Sequence, residues 1–245
     1  MRLDDITTTF NVDVTNIVIP EEYTRYGYIQ YYKNTKPATS ALKAPSNFIY
    51  LLPYEDMNQL SVEYNIGNKS NVTPIDGAGL CGARIAASEV GASYPWYGLY
   101  IRSKNINVDV RGSRFTLDYP KDTSKFNIKV INRRESPLTI NINNGEIVKD
   151  FTWNADKVDV IPLGMSLFNN IPNGTTSNMS FNFFTRIGEI IFRDYDGKCV
   201  GYYIPVTYDN KIGMYDVITN TFCTAETIAA VTVGNSACLY QVGNW

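Results

Sequence analysis

The sequence predicts an all-β protein, with antiparallel strands stacked as a β-sandwich or jelly roll. Apolar and polar residues alternate at 10–14, at 106–110, at Phe126–Ile131 and at Leu138–Ile142. Alternation with a period of two places the apolar side chains of a strand on one face. Turn-forming residues recur about every 8–12 residues, and no amphipathic helix separates the strands as βαβ units would require. A chain of 245 residues with 44% hydrophobic content can fill one such sandwich.

Two hairpins are predicted from their turn residues. The sequences NNGE at 143–146 and DYDGK at 194–198 contain the Asn, Asp and Gly residues that tolerate the positive φ angles of tight turns. Before the second turn, Ile187, Ile190, Ile191 and Phe192 form a nearly continuous apolar strand. Asp196 and Gly197 turn this strand back into 199–204. Pro205 is expected to end the strand ladder because it has no amide N–H.

The segment at 208–225, YDNKIGMYDVITNTFCTA, is predicted to close the sandwich. Gly213 permits a close approach or an unusual φ, and Tyr215 returns apolar surface to the core. Asp216 is expected to accept hydrogen bonds from the amides of the turn at 217–220, which precedes Phe222. The residue types therefore favour a structural role for this segment over a catalytic one.

The sequence contains no histidine, and this excludes several kinds of site. Ser-His-Asp and Cys-His nucleophiles, histidine-ligated zinc and a histidine general base all require the imidazole. The four cysteines, at 81, 199, 223 and 238, form no CxxC pair, so they are predicted to be small buried residues, with a Cys199–Cys223 bridge as the alternative. We expect no cofactor.

Carboxylate-based sites receive equally little support. The DYDG loop at 194–197 could suit calcium, but an EF-type loop requires Glu at its twelfth position, where this chain has Pro205. We therefore predict a hairpin turn and no metal. Glycosidases of concanavalin A-type fold carry paired carboxylates on one strand as Glu-x-Asp-x-x-Glu or Glu-x-Asp-x-Glu, a spacing that does not occur in the sequence.

Charge and hydropathy exclude two further classes of function. The formal net charge is -2, from 22 basic and 24 acidic residues spread along the chain, so no nucleic-acid footprint is present. Apolar stretches are far shorter than the roughly 20 residues of a membrane helix, and the opening MRLDDITTT lacks the apolar region of a signal peptide. We expect no membrane insertion and no signal-directed export.

Several motifs in the second half of the chain occur together. LFN at 167–169 is followed by RIGEIIFRDYDG at 186–197, IPV at 204–206 and GMYD at 213–216, and Phe222 closes the series. This part of the chain resembles the C-terminal half of LamG-like, concanavalin A-type jelly-roll domains in tailed-bacteriophage and prophage structural proteins of gut bacteria. Earlier motifs resemble the family more loosely, namely YIQY at 28–31 (its opening strand), LCGAR at 80–84 (its GAR turn) and NINNGEIV at 141–148 (its central hairpin).

The resemblance implies a domain organisation. A LamG-like domain at 23–225 would follow an N-terminal arm at 1–22 and precede a C-terminal hairpin or tail at 226–245. The arm contains one alternating strand, which either pairs with another subunit or forms an edge strand of the same sandwich. Both alternatives remain open from the sequence.

The function that the resemblance implies is that of a non-enzymatic virion component, in a tail, a baseplate or a capsid-surface fibre. Its partners would be other virion proteins and further copies of itself, and 18 tyrosines suit such interfaces. Tyr94, Trp96 and Tyr97 could present a stacking platform for a host-surface glycan, or they could form a core-facing strand entrance. The alternatives are a stand-alone lectin or adhesin and, more weakly, a glycan-active enzyme.

Overall fold

The computed structural model describes residues 17–31, 50–51, 61–68, 78–84, 96–102, 105–110, 113–118, 125–131, 138–142, 147–151, 165–167, 180–181, 185–224 and 240–245. The predicted strand at 10–14 lies outside these residues. All regular structure within them is β-strand, and none of it is a helix that could cross a bilayer. The strands are, in chain order, β1 (Thr24–Arg25), β2 (Tyr28–Tyr31), β3 (Tyr50–Leu51), β4 (Ser61–Asn68), β5 (Ala78–Arg84), β6 (Trp96–Arg102), β7 (Asn105–Val110), β8 (Ser113–Asp118), β9 (Phe126–Ile131), β10 (Leu138–Ile142), β11 (Ile147–Phe151), β12 (Met165–Leu167), β13 (Ser180–Phe181), β14 (Thr185–Arg193), β15 (Cys199–Tyr208), β16 (Lys211–Asp216), β17 (Thr221–Thr224) and β18 (Tyr240–Gly243).

These strands form two sheets. The larger sheet has the order β11-β10-β9-β4-β14-β15-β16-β17, with β1 paired to β15 and β2 paired to both β14 and β18. The smaller sheet has the order β3-β12-β5-β6-β7-β8, with β13 paired to β5. The β13–β5 pair is parallel, and every other described pair is antiparallel. The chain passes repeatedly from one sheet to the other, as in a jelly roll.

The core lies between the two sheets. One cluster of buried side chains joins Ile66, Ile128 and Phe192 of the larger sheet to Leu99 and Val108 of the smaller one. A shared apolar interior is the defining property of a β-sandwich, since each sheet buries one face against the other. The predicted antiparallel β-sandwich is therefore confirmed. The alternation predicted over Phe126–Ile131 also appears, as strand β9 with alternating buried and half-buried residues.

The hairpin predicted at Asp196 and Gly197 connects β14 to β15. Gly197 has a φ of 82°, a conformation that glycine adopts without steric cost. The Asp194 carboxylate accepts hydrogen bonds from the amides of Asp196 (3.0 Å) and Lys198 (2.9 Å). Two backbone bonds also close the turn, from the Gly197 amide to the Asp194 carbonyl (3.0 Å) and from the Asp194 amide to the Lys198 carbonyl (3.1 Å). Asp196 is exposed.

The expectation that Pro205 ends the ladder is wrong. Strand β15 continues to Tyr208, and Pro205 is paired with Met214 of β16. The carbonyl of Pro205 accepts a hydrogen bond from the Tyr26 amide (2.9 Å), on the side away from β16. Since the N and C=O of a strand residue point to the same side, the missing N–H faces β1 and the ladder with β16 loses no bond.

A second sequence expectation also needs correction. The LCGAR motif at 80–84 is not a turn, because all of its residues belong to strand β5, which pairs with β6 and β12. The hairpin expected around 143–146 is visible through its strands, as β10 and β11 pair in register from Ile142 and Ile147. The residues of that turn lie outside the described part of the chain.

The outer face of the larger sheet carries a second apolar cluster, here called the outer cluster. Its buried members are Ile191, Tyr202, Ile204, Val206 and Tyr215. Residues 17–23, which precede β1, pack against it through Ile17, Ile19 and Tyr23. The described part of the predicted arm therefore lies on its own sheet, while residues 1–16 are outside the description.

Candidate binding groove

The outer face of the larger sheet becomes polar where β4 and β9 pair. Along β4, Tyr64 is buried in the core, whereas its neighbours Glu63 and Asn65 are partly exposed on the other face. Asn127 Nδ2 donates to Glu63 Oε1 (2.8 Å) and to Asn65 Oδ1 (3.1 Å). Lys129 Nζ lies 3.4 Å from Glu63 Oε2. We call these four side chains on the outer face the polar ladder.

Beside the polar ladder lies a groove of about 290 Å³. Strands β1, β4 and β14 contribute to it, together with the β1–β2 connection, the residue before β9 and the residues after β18. Its lining includes Arg25, Gly27, Asn65, Lys125, Glu189 and Trp245. A cavity of this volume is close to the lower limit of known small-ligand sites, which suits one or two sugar rings.

Trp245 is positioned by the pairing of β18 with β2. The amide of Gly27 donates to the carbonyl of Gly243 and to Oδ1 of Asn244, both at 2.9 Å. These bonds fix the chain just before Trp245. The indole packs at 5.2 Å from the ring of Tyr28, yet 39% of Trp245 remains exposed. An exposed indole held in place by its neighbours is a suitable surface for stacking a ligand ring.

Two glycines allow Trp245 to lie this close to the sheet. A Cβ at Gly27 would come within 2.9 Å of Trp245 Cδ1, and a Cβ at Gly188 within 3.1 Å of Trp245 Cζ2. Gly188 would also meet the carbonyl oxygen of Gly27 at 2.9 Å. Any larger residue at either position would push the indole away from the sheet and change the shape of the groove.

The carboxylate in the groove, Glu189, is held by two partners. It forms an ion pair with Arg25, and the hydroxyl of Tyr202 donates to its other oxygen at 2.8 Å. Burial raises the pKa of Tyr202, and the Glu189 carboxylate raises it further, so the phenol stays protonated as a donor. Glu189 therefore acts as an anchored acceptor within the groove.

Two cations in this region lie against aromatic rings. Lys125 Nζ is 5.3 Å from the centroid of the Trp245 ring, and the guanidinium of Arg186 is 4.4 Å from that of Tyr28. Because Tyr28 and Trp245 also contact each other, the four side chains form a continuous row of cation, ring, ring and cation. The row therefore has a cation at each end.

The side chains of the groove are suited to binding a ligand. They offer an aromatic surface, an amide, one anchored carboxylate and two cations, which together can stack a ring and bind hydroxyl or acidic groups. Within the segments that the structure covers, no three metal-ligating side chains converge.

The platform predicted from the sequence falls largely outside what the structure describes. Tyr94 is not among the described residues. Trp96 and Tyr97 belong to strand β6, where their backbones pair with Arg84 and Ala83 of β5 in the smaller sheet. The groove is on the outer face of the other sheet, so it and the predicted platform are separate surfaces.

The signature residues at 213–222 have structural contacts. Asp216 is buried, and its Oδ1 accepts bonds from the amides of Tyr202 and Ile218, both at 3.0 Å. Its Oδ2 accepts a bond from the Thr219 hydroxyl at 2.7 Å. The bond from Ile218 is of the kind expected from the turn sequence. Asp216 thus connects β15 to the β16–β17 turn.

Tyr215 and Phe222 belong to an aromatic group on the outer face. The Tyr23 ring centroid lies 4.7 Å from that of Tyr215, 4.8 Å from that of Tyr208 and 5.6 Å from that of Phe222. The ring of Tyr23 is therefore held by aromatic side chains of the closing segment. Gly213, on β16, makes this possible because a Cβ there would overlap the Cys223 carbonyl and the Phe222 ring. Cys199 and Cys223 are not joined by a disulfide, so the alternative of a bridge between them is wrong.

The groove residues were not found from the sequence. They come from distant positions: Arg25 near the start, Asn65 and Lys125 in the middle, and Glu189 and Trp245 later. None belongs to a local motif, and only strand pairing brings them together. The sequence held one weak indication of the groove, the Asn244-Trp245 pair that follows the last strand. Tryptophan occurs three times in the sequence, so its position there could have been examined.

Comparisons with known proteins give distant similarities. No family model matches the sequence, and no curated protein matches it significantly. Domains LG4-5 of the mouse laminin alpha1 chain superpose with a TM-score of 0.35 and 11% identity, covering 77% of this chain and 47% of that one. SCP-B, a member of the Eqolisin family of peptidases solved with the tripeptide Ala-Ile-His, gives 0.24 and 12%, covering 80% and 83%. This chain spans about half of the laminin chain that it matches.

Proposed function

We propose that the protein is a non-enzymatic β-sandwich module of a tailed-bacteriophage or prophage particle, and that the groove beside Trp245 contacts a carbohydrate. The observation that carries the carbohydrate part is the partly exposed, fixed indole of Trp245 above an amide and charged groups. Sugars present an apolar face to aromatic rings and hydroxyls to polar side chains, and the groove matches both. The virion part is supported by the sequence motifs at 167–225.

We propose binding rather than hydrolysis because the side chains that line the groove include one carboxylate and not two. Retaining and inverting glycosidases need two carboxyl groups on opposite sides of the scissile bond, one acting as an acid. Among the side chains that line the groove, Glu189 is the one carboxylate, and it is engaged by Arg25 and by the hydroxyl of Tyr202. The chain also lacks histidine as an alternative acid or base.

The test is a glycan array probed with the wild-type protein and two variants. Trp245→Ala should lose binding by tenfold or more, about 1.4 kcal/mol, because it removes the stacking surface. Trp96→Ala is the matched control, since it removes a tryptophan from the other sheet. Both variants should show the circular dichroism spectrum of the wild type.

Two outcomes would contradict the proposal. Binding that survives Trp245→Ala but disappears in Trp96→Ala would move the site to the smaller sheet. Hydrolysis of a bound oligosaccharide that is lost in Glu189→Gln would make the protein an enzyme.

The virion part is tested by mass spectrometry of purified particles from a lysogen that carries this sequence, where the protein should be present in a fixed copy number. Its absence from the particles would reject that part alone.

A further inference from the structure

We propose that the ligand of the groove is an acidic glycan, whose carboxylate pairs with Lys125 while the sugar ring stacks on Trp245. This inference rests on the proposed carbohydrate-binding function and specifies its substrate class. It arises from the charges around the groove and from the position of the lysine over the indole.

The first step is the balance of charge. The groove contains two cations, Arg25 and Lys125, and one carboxylate, Glu189. Arg25 and Glu189 are bound to each other, so their charges cancel within the groove. Lys125 is exposed, and its contact in the groove is the face of the Trp245 ring. Among the side chains that line the groove, Lys125 is therefore the cation that no carboxylate side chain neutralises.

The surroundings add to this charge. On the polar ladder, Glu63 is paired with Lys129 at 3.4 Å. Arg186 lies over the ring of Tyr28, next to Trp245. On the described strands β4, β9 and β14, both outward-facing glutamates are thus neutralised by basic partners, while Lys125 and Arg186 rest on aromatic rings. A site with more cationic than anionic side chains binds an anionic ligand more tightly than a neutral ligand of the same shape.

The second step concerns competition for the indole. Lys125 Nζ lies over the ring of Trp245, 5.3 Å from its centroid. A neutral sugar that stacks there displaces the ammonium and gives it no new partner, so part of the stacking energy is lost. A sugar that carries a carboxylate offers the displaced ammonium an ion pair in exchange. The position of Lys125 therefore discriminates between acidic and neutral rings of the same shape.

The experiment is isothermal titration calorimetry with paired probes at low ionic strength. Oligogalacturonate and its methyl ester share one backbone and differ in charge, and oligosaccharides of hyaluronan and their methyl esters form a second pair. The wild type should bind the acid form of at least one pair about fivefold more tightly than the ester, the upper range for a partly exposed ion pair. The preference should shrink as salt is added, because salt screens exposed charges.

The decisive variant is Lys125→Gln. It should abolish the preference for the acid form, measured as the ratio of the acid and ester dissociation constants. Lys129→Gln is the matched control, because Lys129 is also a lysine on the outer face but is paired with Glu63 on the polar ladder. This control should retain the preference.

Each remaining outcome decides between the two proposals. Equal binding of acid and ester forms, sensitive to Trp245→Ala, would overturn the acidic specificity and leave the carbohydrate function intact. A preference for acid forms that persists in Lys125→Gln would overturn the role of this lysine. Binding of neutral glycans alone on the array would also refute the inference. No binding of any glycan would overturn the proposed function and this inference with it.

Discussion

The carboxylate of Asp216 shows how a single residue connects two elements. One of its donors is the Tyr202 amide on β15, and two lie in the β16–β17 turn, the Ile218 amide and the Thr219 hydroxyl. Bonds to a charged acceptor are stronger than neutral ones, and leaving a buried donor without a partner is costly. The sequence indicated this local role because Asp commonly accepts amide bonds within the next turn, but the bond from Tyr202 depends on strand pairing.

The first prediction concerns this carboxylate. Asp216→Asn removes the negative charge and replaces one acceptor oxygen by an NH₂ group, so we expect the free energy of unfolding to fall by about 1–3 kcal/mol. Chemical denaturation measures it. Asp196→Asn is the control, since Asp196 is exposed in the β14–β15 turn, and it should change stability by less than about 0.5 kcal/mol. Equal effects of the two substitutions would show that Asp216 has no special role.

At the scale of elements, the strands were the most predictable part of the molecule. Alternation identified β9 and β10 with the bounds that they have in the structure, and the Asp-Gly pair identified the β14–β15 hairpin. The prediction that Pro205 ends the ladder was wrong because the sequence does not show which neighbouring strand the missing N–H would face. The groove was missed for a related reason, since its residues lie on five separate parts of the chain that only the sheet order brings together.

The second prediction concerns the contact between β16 and β17. A methyl group at Gly213 would overlap the Cys223 carbonyl and the Phe222 ring, so Gly213→Ala must separate the two strands. We expect a loss of about 1–3 kcal/mol in the free energy of unfolding, as for other overpacked sites. Lys211→Ala, at an exposed position on the same strand, should be nearly neutral. A Gly213→Ala variant with wild-type stability would mean that β17 lies farther from β16 than the structure shows.

At the scale of the whole molecule, two apolar layers hold the described chain together. One lies between the sheets, and the other is the outer cluster beneath residues 17–23. Sequence alternation predicted the first layer. The nearly continuous apolar run before the β14–β15 turn indicated burial on both faces of β14, but it did not show that Ile17, Ile19 and Tyr23 cover the outer face.

The third prediction separates the two parts of the N-terminal arm. Removal of residues 1–16 should leave the stability of the sandwich unchanged. We propose that this deletion nevertheless prevents self-association or incorporation into particles. Removing 1–22 should in addition lower stability by about 2 kcal/mol, because the outer cluster loses the partly buried Ile17 and Ile19. Light scattering and thermal unfolding measure the two effects. Unchanged assembly after removal of 1–16 would reject the arm as an assembly element.

The central claim is that the groove beside Trp245 is the ligand-binding surface. The most direct test is a two-dimensional NMR titration of the labelled protein with an oligosaccharide that binds on the array. We predict that the indole N–H of Trp245 and the amides of Gly27, Asn65 and Asn244 shift together and saturate at one dissociation constant. Shifts confined to the indole of Trp96 and the amides of the smaller sheet, with Trp245 unmoved, would contradict the claim.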